Sequence, residues 1–172
     1  MRIFKGKHGL LTPTTVAVVA SKFNQEVTDI LLEGALAELK RAGIPEEKVL
    51  VFRVPGAWEI PYASRLAVKQ GNAKGVICLG ALIRGETAHF DYIATEASSG
   101  ISRASEELDV PMTFGVLTCE NKEQALARAG GSVGHMGIEA AQALLELLSI
   151  REQLSAQTKL QKTKTSELNI RE

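Results

Sequence analysis

Two cysteines and three histidines are all the soft-ligand chemistry the chain holds, and their spacing matches no metal or redox motif. That pattern argues against a zinc centre and a disulfide framework, and it predicts two reduced thiols in a cytoplasmic protein. Neither sign of charge is in excess, 20 Lys plus Arg against 20 Asp plus Glu, so the net charge leaves no nucleic-acid footprint. No apolar run reaches bilayer length, no signal peptide is evident, and no internal repeat is apparent. The glycine-rich pieces fit neither the dinucleotide nor the P-loop pattern, so no nucleotide cofactor is indicated.

What is present is a soluble balance, 45% apolar and 23% charged, in 172 residues, enough for one domain with a substantial core. The reading sets a single domain over 1–154, with residues 1–13 as an extended arm and 155–172 as a mobile polar tail. Four apolar runs read as strands, Val16 to Ala20, Val49 to Val54, Gly75 to Ala81 and Pro111 to Thr118, and the first is the continuous run of a strand covered on both faces. Helical periodicity follows each. The first helix starts at Asn24 as N-cap and stops at Gly43 and Pro45; the second turns in at Ala57 and tolerates Pro61 in its first turn. A third spans about Asp91 to Leu108, and Asn121 with Gln124 has capping-box spacing for a short fourth. The last runs from near Gly137 to about Gln153 and carries two apolar stripes, fitting either a deeply packed core helix or a subunit contact. Alternation of strand and helix predicts an α/β fold, a three-layer α/β/α sandwich on a four-stranded parallel sheet of flavodoxin-like order.

Three strand ends are chemically loaded: Phe23-Asn24, Gly56-Ala57-Trp58-Glu59, and the stretch from Leu79 to Tyr92. A parallel sheet brings all three to one carboxyl edge, where such folds bind ligands. Each has a plain reading too. Phe23 packs on helices as readily as on a ring, Trp58 suits a core or an interface, Glu59 suits a first-turn carboxylate, His89 a cap, and Arg128 open surface. Their convergence favours a site. An aromatic face with backbone groups from Ala81, Leu82 and Ile83 suits a flat heterocycle, and Glu59 can accept from hydroxyls. Gly85, Thr87 and Arg128 suit a phosphate, with His89 beside it for proton transfer. Composition and spacing thus reach an α/β protein that binds a planar polar ring and a small phosphate ester.

Four motifs, in order, go further. Val54-Pro55-Gly56-Ala57-Trp58-Glu59-Ile60-Pro61, Leu79-Gly80-Ala81-Leu82-Ile83-Arg84-Gly85-Glu86-Thr87-Ala88-His89-Phe90, Phe114-Gly115-Val116-Leu117-Thr118 and Gln124-Ala125-Leu126-Ala127-Arg128-Ala129-Gly130 together resemble the lumazine synthase family, from about Val16 to about Leu148. The resemblance implies condensation of 5-amino-6-(D-ribitylamino)uracil with 3,4-dihydroxy-2-butanone 4-phosphate in riboflavin biosynthesis, with no cofactor. It implies proton transfer by His89, ring stacking by Phe23, backbone contacts from Ala81, Leu82 and Ile83, and a ribityl site at Ala57, Trp58 and Glu59. It places phosphate at Glu86, Thr87 and Arg128 and has Phe114 supplied by a neighbouring subunit. A homo-oligomer with shared sites follows, a pentamer, which some members build into a sixty-subunit icosahedral shell; riboflavin synthase is a candidate partner. One departure stands out: where the family carries Asn-Lys-Gly, this chain has His135-Met136-Gly137. That predicts weaker binding of the phosphate substrate, with His135 as a partial substitute for the lost charge when protonated. It also supports an alternative, a non-catalytic relative that binds flavin-like rings or serves mainly as a shell. A generic flavodoxin-like module such as a signalling receiver would need acidic residues after the first strand, and Ser21-Lys22-Phe23-Asn24 has none.

Overall fold

The computed structural model describes residues 1–9 and 14–169, with side chains through 158. Four parallel strands, β1 (Val16–Ser21), β2 (Val49–Val54), β3 (Gly75–Ile83) and β4 (Met112–Cys119), form one sheet in the order β2-β1-β3-β4. This is the predicted flavodoxin-like order. Valines and isoleucines alternate across the pleat, so each central strand feeds two cores. On one face Val16, Val18, Ala20, Ile77 and Leu79 meet helix α1 (Gln25–Arg41) and helix α5 (Met136–Asn169). On the other, Ala17, Val19, Val76 and Cys78 meet helix α2 (Ile60–Lys69) and helix α3 (His89–Leu108). A short helix α4 (Lys122–Arg128) follows β4, and Ala129–Gly131 (β5) pairs antiparallel with Gly134–His135 (β6) in a small ribbon that the apolar pattern did not signal.

Several boundaries differ from the sequence reading, each for a physical reason. Asn24 precedes α1 as expected, but its backbone is left-handed (φ 55°, ψ 48°) and its side chain caps nothing. Instead Asn24 Nδ2 donates to the Ala81 carbonyl at 2.8 Å, joining the start of α1 to the end of β3. Helix α3 starts two residues earlier than expected, at His89. Helix α2 is led in by a 3-10 turn over Ala57–Glu59, and Pro61 does sit in its first turn. At α4, Asn121 Oδ1 accepts from the Gln124 amide at 2.9 Å, while the Gln124 side chain reaches back to the Glu120 amide rather than to its cap.

Helix α5 begins at Met136 and continues to Asn169, well past the Gln153 at which its apolar pattern fades. Lys, Gln, Glu and Leu all tolerate helix, so loss of amphipathicity does not end one. Ala140, Ala141, Leu144, Leu145 and Leu148 are buried in a single cluster, so most of both stripes of α5 serves the core, while Ile138 is half-buried and Leu147 exposed. The arm lies along α5: His8 Nε2 and Glu146 Oε1 are 2.8 Å apart, and Gln153 donates to the Lys5 carbonyl at 2.9 Å. The part of the arm from 10 to 13 and the last three residues of the tail lie outside the described residues.

Candidate active site

The carboxyl ends of β1, β2 and β3 open into a cleft of about 810 Å³. Its aromatic wall is Phe23, whose backbone is pinned although its ring is exposed. The Phe23 amide donates to the Pro55 carbonyl at 3.0 Å, and the next residue is tied to Ala81 through Asn24. A ring held out by a fixed main chain, rather than packed on a helix, is a platform for a flat ligand. Trp58 also lines the cleft and stays 55% exposed, so its core reading falls.

Glu59 follows the tight approach at Gly56. One carboxylate oxygen accepts from the Gly56 amide at 2.9 Å, which fixes the turn, and the other has no partner among the described residues. The carboxylate therefore both holds the Ala57–Glu59 turn and offers a free acceptor at the rim. Ala81 and Leu82 are buried, and they and Ile83 form the floor where β3 runs out.

Beyond Ile83 the chain makes an exposed turn through Gly85, Glu86 and Thr87 before α3 begins at His89. Gly85 and Thr87 line the cleft and Glu86 does not. The amides of these three residues donate to no backbone acceptor among the described residues. The His89 amide makes only a long contact, 3.4 Å, to Thr87 Oγ1, and the His89 ring lines the cleft with no protein partner among the described residues. Unpaired N–H groups at a helix start favour an anion, and an unpaired imidazole beside them is free to exchange protons with it.

Three groups the sequence reading assigned to the site are not in this cleft. Arg128 ends α4 in an exposed position beside the end of β4, close enough to Cys119 to favour ionisation of its thiol against the burial that pushes it up. Phe114 is partly exposed on the edge strand β4 and borders a separate hollow with Ser98, Ser102 and Met112. Glu86 is exposed and does not line the cleft. His135, the partial substitute for the lost charge, has its ring over Gly34 and Gly130, with Nδ1 buried and without a partner among the described residues. Met136 likewise packs against the core shared by α1 and α5 rather than facing the cleft. An unbranched apolar side chain at the first residue of a core helix is held there by burial.

The cleft also holds residues the sequence reading did not single out as ligands: Phe90, Tyr92 and Ile93 on α3, and Pro55 before the turn. The signal lay in the helix start. Once α3 begins at His89, its first turn stands at the sheet edge with all but Asp91 of its first five residues lining the cleft.

The lumazine synthase resemblance has independent support. The model of the 6,7-dimethyl-8-ribityllumazine synthase family matches residues 13–152. The chain is similar to a protein of Nautilia profundicola bearing that name, 42% identical over 90% of this chain and 100% of the relative. A Desulfovibrio desulfuricans protein of the same name is 48% identical over 81% of this chain and 89% of its own length. One from Levilactobacillus brevis is 48% identical over 83% and 91%.

Proposed function

The chain belongs to the 6,7-dimethyl-8-ribityllumazine synthase family, and on that premise we propose how its cleft carries the reaction. It is an enzyme of riboflavin biosynthesis that condenses 5-amino-6-(D-ribitylamino)uracil with 3,4-dihydroxy-2-butanone 4-phosphate, releasing phosphate and water. The pyrimidine stacks on Phe23 and takes backbone hydrogen bonds from the Ala81, Leu82 and Ile83 floor, while Ala57, Trp58 and the free oxygen of Glu59 hold the ribityl hydroxyls. The phosphate sits against the amides of Gly85, Glu86 and Thr87.

The 5-amino group attacks the ketone and an imine forms with loss of water. A proton then leaves the neighbouring carbon, the bond to the phosphate oxygen breaks, and the resulting enol becomes a ketone. The ribitylamino nitrogen closes the ring on that carbon with loss of a second water. His89 lines the same cleft as the floor and follows the phosphate-binding amides by two residues, so it takes the proton whose departure expels phosphate. The observation that carries this reading is the unpaired His89 ring beside unpaired turn amides in a cleft with an aromatic wall.

Phe114 and Arg128 belong to the same site but to the next subunit. Neither borders the cleft of its own chain, and both lie on the β4–α4 side of the fold. The site is therefore completed in a homo-oligomer, a pentamer that can close into a sixty-subunit shell, with riboflavin synthase as the partner that consumes the product. A cytoplasmic setting goes with two free thiols.

The alternative of a retired, ring-binding relative rests on Met136 alone, while His89 and Arg128, the groups assigned to proton transfer and to the phosphate, are both retained. Nothing favours it over the synthase. Product formation followed by absorbance tests the reading. Wild type makes lumazine, and Arg128→Ala raises the KM for the phosphate substrate by roughly tenfold to a hundredfold, the scale of one charge-assisted contact. A wild type that binds ribityllumazine yet makes none would overturn it.

A further inference from the structure

Arg84 lies just outside the cleft, and its guanidinium joins three elements. Its Nη1 and Nη2 donate to the two oxygens of Asp91 at 3.1 and 3.0 Å, its Nε donates to Glu120 at 3.1 Å, and its central carbon sits 4.2 Å above the Phe90 ring. The Arg84 amide donates to the Cys119 carbonyl at 2.9 Å, which extends the β3–β4 pairing by one step. Asp91 is in the first turn of α3, and Glu120 follows β4. Arg84 and Asp91 thus stand at the two ends of the turn that carries Gly85, Glu86, Thr87 and His89, and their fork-to-fork pair spans it.

Little else holds that turn. Nothing lies within 4 Å of where a Gly85 side chain would begin, and the one side-chain bond inside the turn is the 3.4 Å contact at Thr87. Yet the chemistry assigned to it needs the phosphate-binding amides and the His89 ring in fixed register, since small misplacements cost large factors in rate. A planar guanidinium with two parallel bonds sets an angle as well as a distance, which a lysine ammonium cannot do. Phe90 lines the cleft, so the guanidinium also backs one of its walls.

We propose that Arg84 is a positioning residue for the reaction: through Asp91, Glu120 and Phe90 it clamps the β3–α3 turn and holds His89 and the turn amides in register. The inference rests on the synthase reading. The Arg84 guanidinium lies outside the cleft, and its ion pairs with Asp91 and Glu120 are exposed, where such pairs add little to global stability. Its loss is therefore read in catalysis rather than in melting.

The test is steady-state lumazine formation with both substrates varied, for wild type, Arg84→Met, Arg84→Lys, Asp91→Asn and the double variant Arg84→Met/Asp91→Asn. Arg84→Met lowers kcat by about tenfold or more and raises the KM for the phosphate substrate. It leaves the KM for the pyrimidine substrate and the melting temperature near wild type. Arg84→Lys recovers only part of the loss, and the double variant is no worse than either single one, as for two groups that act as one unit. Full activity in Arg84→Met, equal shifts in both KM values, or losses that multiply in the double variant would each overturn the proposal. Hydrogen exchange provides a second readout. The Asp91 and Tyr92 amides, which donate to the Ala88 carbonyl, exchange faster in Arg84→Met while the sheet amides do not change. Unchanged exchange counts against the clamp. If wild type made no lumazine, the synthase reading would fall, and this exchange measurement would still decide whether Arg84 holds the turn.

Discussion

At the scale of single residues, exposure and burial divide the chemistry. Phe23, Thr87 and His89, assigned to substrate, are exposed, Phe23 on pinned backbone, whereas the two thiols are sealed. Burial pushes the Cys78 thiol up to about 12, against a smaller opposing effect of its contact with Ser64 Oγ. A thiol raised in the native state is favoured in its neutral form. Its contribution to stability is whole below the ordinary thiol value and is lost as pH rises toward the native one. Native protein at pH 8 therefore leaves a thiol reagent such as DTNB unconsumed, and unfolding in guanidinium releases both cysteines; rapid native reaction would contradict the burial of Cys78 and Cys119. The identities of Phe23, Glu59, Thr87 and His89 as site candidates were legible because each follows the end of an apolar strand. The roles of Asn24 and Arg84 were not, since each acts on a partner 57 or 7 residues away whose direction only the fold sets.

At the scale of elements, four strands and five helices were readable because their periods are clean, and the misses concentrate at ends. Apolar periodicity marks where a helix is buried, not where its backbone stops, so α3 began early and α5 ran on. The tightest packing between elements was also silent in the pattern. A side chain at Gly137, in the first turn of α5, would begin 2.1 Å from the Leu31 carbonyl oxygen of α1. The neighbour is backbone and cannot turn aside, so α5 must shift off α1. Gly137→Ala is expected to destabilise by about 1–3 kcal/mol or more, read as a lower denaturation midpoint with an unchanged slope. A midpoint equal to wild type would mean that the α1–α5 approach is looser than described. Because α5 carries much of one core, the same variant should lose activity only as it loses folded protein.

At the scale of the whole molecule, one chain's cleft holds the residues assigned to the ring and the ribityl chain, but neither Arg128 nor Phe114. Phe114 was legible as a site residue only through its motif, and Arg128 by its charge as well; no periodicity in one chain reveals the proposed service to another. The central claim is that each cleft combines His89 of one subunit with Arg128 of the next. The most direct measurement is complementation. His89→Ala and Arg128→Ala proteins, each deficient alone, are unfolded, mixed in equal amounts and refolded together, and lumazine formation is followed by absorbance. Shared sites predict that the mixture recovers up to roughly a quarter of wild-type activity, the share of randomly paired interfaces that unite both intact groups. A mixture no more active than its two parents measured separately would contradict the account, placing His89 and Arg128 in the same subunit's site or the phosphate elsewhere.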